Sequence, residues 1–189
     1  MGNMNEMKSG VYPEELVSTC GQSVNQILRK KADTCGCVAP DTEIRMADGS
    51  LKQIRNIRIG DYVVGRGNAI MMVMNCWIGP EREPMLEILV QGMKRALFVT
   101  KEHPIWVQEP DGTTKWKHAK DCKVSDMVLV SGYEEKYCAI KSIKEKEACD
   151  RVYNLDLRPL HGVVGQAGTM YCNGILTGDM QIQNGAKEG

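Results

Sequence analysis

From Thr42 to Thr177 the apolar stretches are three to eight residues long, alternate in polarity and end at residues that turn the chain. Alternation at period two sends successive side chains to opposite faces, so such segments bury one face in a sheet and cannot form the stripe a helix needs. Candidate strands are Thr42–Met46, Leu51–Ile54, Tyr62–Gly65, Ile70–Trp77, Leu86–Val90 and Ala96–Thr100. Six more are Ile105–Gln108, Met127–Ser131, Tyr137–Lys144, Arg151–Leu157, Thr169–Cys172 and Ile175–Thr177. Asp48-Gly49, Gln91-Gly92, Asp111-Gly112 and Asn173-Gly174 supply the turns. Pro40, Pro80, Pro84, Pro104 and Pro110 fall at strand ends or in loops, where a missing N–H does no harm. An all-β barrel or sandwich-like body follows.

A weak internal repeat runs through this body. Asp48-Gly49 with Lys52, Ile57, Ile59, Gly60, Asp61, Val63 and Val64 is matched by Asp111-Gly112 with Lys115, Cys122, Val124, Ser125, Asp126, Val128 and Leu129. The second copy is about two residues longer between turn and corner. Each copy reads as a turn, a polar strand, a turn of helix, a Gly/Ser-Asp corner and a strand, which predicts a pseudo-twofold fold. Asp61 and Asp126 then act as corner-formers that bind local N–H groups. Cys37 itself has no echo in the second copy.

Before Cys37 the pattern is helical. Pro13, Glu14 and Glu15 suit a helix N-terminus, and Leu16, Val17, Cys20, Val24, Ile27 and Leu28 form an apolar stripe ending near Lys30-Lys31. An amphipathic helix over about residues 14–31 is expected, either packed on the β-body or serving as the flank ahead of Cys37.

Composition excludes several classes. Lys+Arg and Asp+Glu are both 24, and aromatics are 5% with one Phe. Neither the basic footprint of a nucleic-acid binder nor a base-stacking platform is present. No apolar run approaches the roughly 20 residues of a membrane span, and Met1–Gly10 is polar, so a cytoplasmic setting is expected. The eight cysteines (20, 35, 37, 76, 122, 138, 149 and 172) are then reduced thiols. They include one Cys-x-Cys and no Cys-x-x-Cys, and the three histidines are scattered, so neither a metal nor another cofactor is expected. Cys35-Gly36-Cys37 also places two thiols close enough to consider redox sensing, in a geometry strained for a disulfide.

Three segments could carry chemistry. Cys37 follows Gly36 directly at the mouth of the β-body. Thr100 ends a strand, and His103 follows three residues on with its backbone restricted by Pro104. The third runs through Val152-Tyr153-Asn154-Leu155-Asp156 to the hairpin around Asn173-Gly174 and ends at Asp179.

Together these resemble the Hint (hedgehog/intein) family of autoprocessing domains. Cys37-Val-Ala-Pro-Asp-Thr with Gly60-Asp61-x-Val matches its first block. Thr100-x-x-His103-Pro matches its second, and Val152-Tyr153-x-Leu with Tyr171-x-Asn173-Gly174-Ile175 its last. The resemblance covers residues 37–179 and implies an all-β, pseudo-twofold horseshoe of short strands. It makes residues 1–36 the flank and residues 180–189 a C-terminal tail. By the same resemblance Cys37 is the nucleophile that converts the Gly36–Cys37 peptide bond to a thioester. His103 protonates the departing nitrogen, and Thr100 helps polarise the Gly36 carbonyl. The substrate is the chain's own N-terminal flank, and water or another nucleophile is the acceptor.

The match weakens toward the C-terminus. Where splicing inteins end in His-Asn followed by Cys, Ser or Thr, this chain has Gly178, Asp179 and Met180. The family's aspartate in the Val-Tyr strand is Asn154, with Asp156 nearby, and a downstream histidine is replaced by Gly168, with His161 out of register. Processing confined to the Gly36–Cys37 bond is expected, Asp156 and Asp179 being secondary candidates. The alternative is an inactive Hint-fold presentation module.

Overall fold

A computed structural model describes residues 36–132, 134–160 and 167–185. The helix expected over residues 14–31, together with Cys35 and His161, lies outside these residues. Among the described residues there are thirteen strands, three single turns of 3-10 helix and one α-helix. The first strands are β1 (Glu43–Arg45), β2 (Leu51–Gln53), β3 (Tyr62–Val64), β4 (Ile70–Gly79), β5 (Met85–Val90), β6 (Leu97–Val99) and β7 (Pro104–Gln108). The chain continues through β8 (Thr114–His118), β9 (Met127–Val130), β10 (Lys136–Lys146), β11 (Val152–Pro159), β12 (Thr169–Cys172), β13 (Ile175–Gly178) and α1 (Met180–Gly185). All twelve candidate strands form, with ends within two residues of those read from the sequence. β8 was implicit only as the polar strand of the second repeat. Its alternation sets Trp116 between Lys115 and Lys117, and it pairs with β7 alone.

The main sheet runs β2-β1-β12-β13-β7-β9-β10-β5-β6, with β8 attached to β7, and a three-stranded sheet runs β11-β4-β3. All pairings are antiparallel, as short turns between strands require. Most of the buried side chains join one core that includes Val38, Ile44, Met71, Val99, Ile140 and Leu155, with two smaller clusters beside it. Full burial of an aliphatic side chain stabilises by about 1.5–3 kcal/mol, so the alternating faces carry most of the folding energy.

The duplication is visible bond by bond. Asp61 Oδ2 accepts from Lys52 Nζ at 2.6 Å and Arg58 N at 2.8 Å, while Asp126 Oδ2 accepts from Lys117 Nζ at 3.0 Å and Lys123 N at 2.9 Å. Gly60 N donates to Val73 O and Ser125 N to Ile140 O, both at 2.9 Å. Both Asp residues therefore form the corners that the sequence implied. One detail of register changes: the partner of Lys52 is Lys117, not Lys115. The two extra residues lie in the longer β7–β8 hairpin, before the lysine.

The repeat also reaches further upstream than its side chains suggest. Ala39 N donates to Phe98 O, and Thr100 N to Cys37 O, both at 2.9 Å. Ile54 N donates to Thr42 O at 2.8 Å, as Ala119 N does to His103 O at 2.9 Å. Residues 37–42 thus correspond to residues 98–103, and the two segments cross antiparallel where Val38 faces Val99. Cys37 does have a counterpart in position, Phe98, but not in chemistry.

Candidate active site

The crossing of these two segments places Cys37 beside Thr100 and His103. Val38 is held on its other side by β11, through Val38 N to Tyr153 O at 2.8 Å and Tyr153 N to Val38 O at 2.9 Å. Cys37 is therefore fixed between two neighbouring segments, and its side chain clusters with Met85 and Val152. The Cys37 N–H donates to Thr100 Oγ1 at 2.8 Å. His103 N closes the turn onto Thr100 O at 3.2 Å, which carries the imidazole back toward Gly36.

Gly36 has no room for a side chain. A Cβ there would lie 2.8 Å from His103 Cα and 2.9 Å from Gln183 Oε1. Its carbonyl accepts from Asn154 Nδ2 at 2.5 Å, while Asn154 Oδ1 accepts from Leu155 N at 2.7 Å. Both residues flanking the Gly36–Cys37 bond are buried.

Burial sets the electrostatics. Desolvation pushes the Cys37 thiol far up, and the carboxylate of Glu81 adds to the shift. The resting sulfur is the protonated thiol. Desolvation pulls His103 down to about 4, with the Gly36 backbone opposing, so the imidazole is neutral near pH 7. Neither of its ring nitrogens makes a hydrogen bond of good geometry among the described residues, and the polar group that bears on the imidazole is the Gly36 backbone. A buried imidazole without such a bond costs stability and is available to carry a proton.

The other two candidates lie elsewhere. Asp156 accepts from Gln181 Nε2 at 2.6 Å, on the side of α1. Asp179 is fully buried and forms the N-terminal cap of α1, its Oδ1 accepting from Gln181 N at 2.9 Å and Ile182 N at 3.1 Å. Its Oδ2 accepts from Leu157 N at 2.9 Å, tying α1 to β11. Burial nevertheless pushes this carboxyl up to about 7, against its three backbone donors and with help from Asp156.

Where the resemblance would place histidines, the space is occupied. A Cβ on Gly168, whose φ is +74°, would lie 2.5 Å from Asp179 Oδ1, and one on Gly178 would lie 2.7 Å from Ile182 Cγ2. Met180–Gly185, read from the sequence as the start of the tail, is helical and buries Met180 and Gln183.

Two site residues escaped sequence reading in their observed positions. Asn154 was visible only as a departure from the family pattern. Its contact follows from the pairing of Val38 with Tyr153, which sets Asn154 opposite Cys37. Gln183 left no signal, because its place beside Gly36 depends on the capped helix. Among the described residues, no three of His, Cys, Asp and Glu gather into a metal-binding group, and no helix is long and apolar enough to cross a membrane.

No family model and no curated protein matches the chain. Solved structures do. The gp41-1 intein is 19% identical with a TM-score of 0.60, over 77% of this chain and 100% of its own. A bacterial intein-like domain from Clostridium thermocellum is 21% identical with a TM-score of 0.62, over 77% and 100%. The DnaB intein from Synechocystis sp. PCC 6803 is 14% identical with a TM-score of 0.61, over 77% and 99%. The chain has the all-β Hint-type fold, the fold of inteins and intein-like domains.

Proposed function

We propose that the chain processes itself at the Gly36–Cys37 bond by moving the Gly36 acyl group from the nitrogen of Cys37 to its sulfur. The observation that carries this is the joining of both segments at one bond. The Cys37 N–H rests on Thr100 Oγ1 at 2.8 Å, beside a neutral imidazole that makes no hydrogen bond of good geometry among the described residues and whose polar neighbour is the Gly36 backbone.

The step balances without a cofactor. As the sulfur bonds to the Gly36 carbonyl carbon, the thiol proton passes to His103 and the carbonyl electrons move to oxygen. On collapse the C–N bond breaks and His103 returns the proton to the departing nitrogen. A thioester and the free amine of Cys37 result. Because the resting thiol is protonated, attack and proton transfer are coupled. An imidazolium in so apolar a site gives up its proton readily, which suits His103 as a shuttle. Thr100 holds the leaving nitrogen in line. Water or an added nucleophile then attacks the thioester, the C–S bond breaks and the sulfur is reprotonated.

The C-terminal features support chemistry limited to this bond. Asp179 is engaged as a helix cap, Ile182 fills the space beside Gly178, and Met180 offers neither hydroxyl nor thiol. Under this proposal residues 1–36 are the released flank, residues 37–179 the processing domain and residues 180–189 its tail. A module that only presents its flank would also bury Cys37, and the nearby Glu81 carboxylate, which disfavours a thiolate, fits that role.

Mass spectrometry of purified protein, with and without added thiol or hydroxylamine, separates the two. Processing yields a fragment ending at Gly36 that Cys37→Ala abolishes, and His103→Ala slows its release far more than His161→Ala. The absence of the fragment under every condition leaves the presentation module.

A further inference from the structure

We infer that Asn154 is the group that polarises the Gly36 carbonyl, acting as a neutral hydrogen-bond donor where the related strand carries a carboxylate. The inference rests on the processing reaction proposed above and reassigns one role within it. Thr100 acts on the nitrogen side of the bond and Asn154 on the oxygen side.

Three observations carry it. First, the orientation of the Asn154 amide is determined by its neighbours. Leu155 N–H can only donate, and it points at the Asn154 oxygen at 2.7 Å, so the Asn154 nitrogen must face the Gly36 carbonyl. Second, Asn154 is fully buried, so water does not compete for that carbonyl through the side chain. Third, the donor is held by β11 itself, whose neighbouring residue Tyr153 is paired in both directions with Val38. A donor fixed in place before reaction stabilises the oxyanion without reorganising, and removal of one such donor elsewhere costs about 10²–10³ in rate.

An aspartate at this position could keep only half of the arrangement. One oxygen would still accept from Leu155 N–H, but the other would face the Gly36 oxygen. An ionised carboxylate there repels the developing oxyanion, and only its protonated form can donate. Asn154→Asp is close to isosteric and tests charge and donor capacity with little change in volume.

Gly36–Cys37 is the only Gly-Cys step in the sequence. Labelling glycine carbonyls with ¹³C and cysteine nitrogens with ¹⁵N therefore gives a single HNCO cross-peak, reporting on this one carbonyl in the unreacted chain, before its amide bond is broken. In wild type the Gly36 carbonyl resonance is expected downfield, and Asn154→Ala and Asn154→Asp at neutral pH move it upfield. Fragment release, followed alongside, falls about 10²-fold in Asn154→Ala. The rate of Asn154→Asp relative to wild type rises as pH is lowered and the introduced carboxyl gains its proton. A purely structural role would give a deficit that does not vary with pH.

An unmoved carbonyl resonance in both variants overturns the assignment of Asn154, whatever the activity. So does an Asn154→Asp to wild-type ratio that is flat with pH. If wild type releases no fragment while the resonance moves as expected, the processing reaction fails but the carbonyl contact of Asn154 stands.

Discussion

Asp179→Asn offers the sharpest test of the site's electrostatics. Burial raises this carboxyl from 3.8 to about 7. Between those values the folded chain holds a proton that the unfolded chain has released, so stability falls as pH rises through the interval. One pH unit of displacement is worth about 1.4 kcal/mol, which makes the loss about 4 kcal/mol between pH 4 and 7. His103 works in the opposite sense. Its value falls from 6.5 to about 4, so it contributes stability that is lost as pH drops through that window. In wild type the two slopes overlap and largely hide one another.

The substitution exposes them. An asparagine keeps the cap on Gln181 and Ile182 but turns its nitrogen toward Leu157 N–H. Orphaning that donor costs about 1–3 kcal/mol at every pH. Urea unfolding under reducing conditions, run on both proteins from pH 4.5 to 8, gives the difference in stability at each pH. Subtraction cancels His103. Wild type is expected to lead by at most about 1–3 kcal/mol at the acid end, and the difference is expected to move by about 3–4 kcal/mol in favour of the variant toward pH 8, so that it reverses sign. The variant alone is expected to gain stability between pH 4.5 and 6.5 as the His103 slope emerges. A difference between the proteins that stays constant within about 1 kcal/mol would refute the account of a buried, upshifted carboxyl.

Gly36→Ala meets the His103 backbone at 2.8 Å, which a flexible side chain could relieve but a Cα cannot. It is expected to stop fragment release and to destabilise by about 1–3 kcal/mol, read by mass spectrometry and denaturant melts. The matched corners predict matched costs: Asp61→Ala and Asp126→Ala should each destabilise, by amounts within about 1 kcal/mol of one another in denaturant titrations. A neutral result for either would mean that its Lys and N–H contacts are dispensable.

What the sequence revealed and what it hid divide along a physical line. Alternation located the strands because burial of one face leaves a period of two, and β8 was obscured because two of its five residues are lysine and none is buried. Corner residues were legible because Asp61 and Asp126 bind groups within nine residues of themselves. The upstream half of the repeat was not. Cys37-Val-Ala-Pro-Asp-Thr and Phe98-Val-Thr-Lys-Glu-His share one side chain, and their equivalence lies in backbone bonds that have no letter. Thr100 and His103 were legible as candidates, but which atom each serves was not, since Thr100 reached the nitrogen and the carbonyl went to Asn154. The helix Met180–Gly185 is too short to hold by propensity and exists because Asp179 caps it, so no pattern in six residues could announce it.

The crossing of Val38 and Val99 also explains why one bond and not two would be open to cleavage. The positional mate of Gly36–Cys37 is Leu97–Phe98, where Leu97 pairs with Ile88 inside β6. A cut there would sever the chain between its two copies and turn one folding unit into two pieces held only by their interface. A cut before Cys37 leaves residues 37 onward covalently continuous, with the bonds of Cys37 to Thr100 and of Val38 to Tyr153 on the retained side. The duplicated architecture can thus lose its flank and remain whole, but only from the copy that begins the domain.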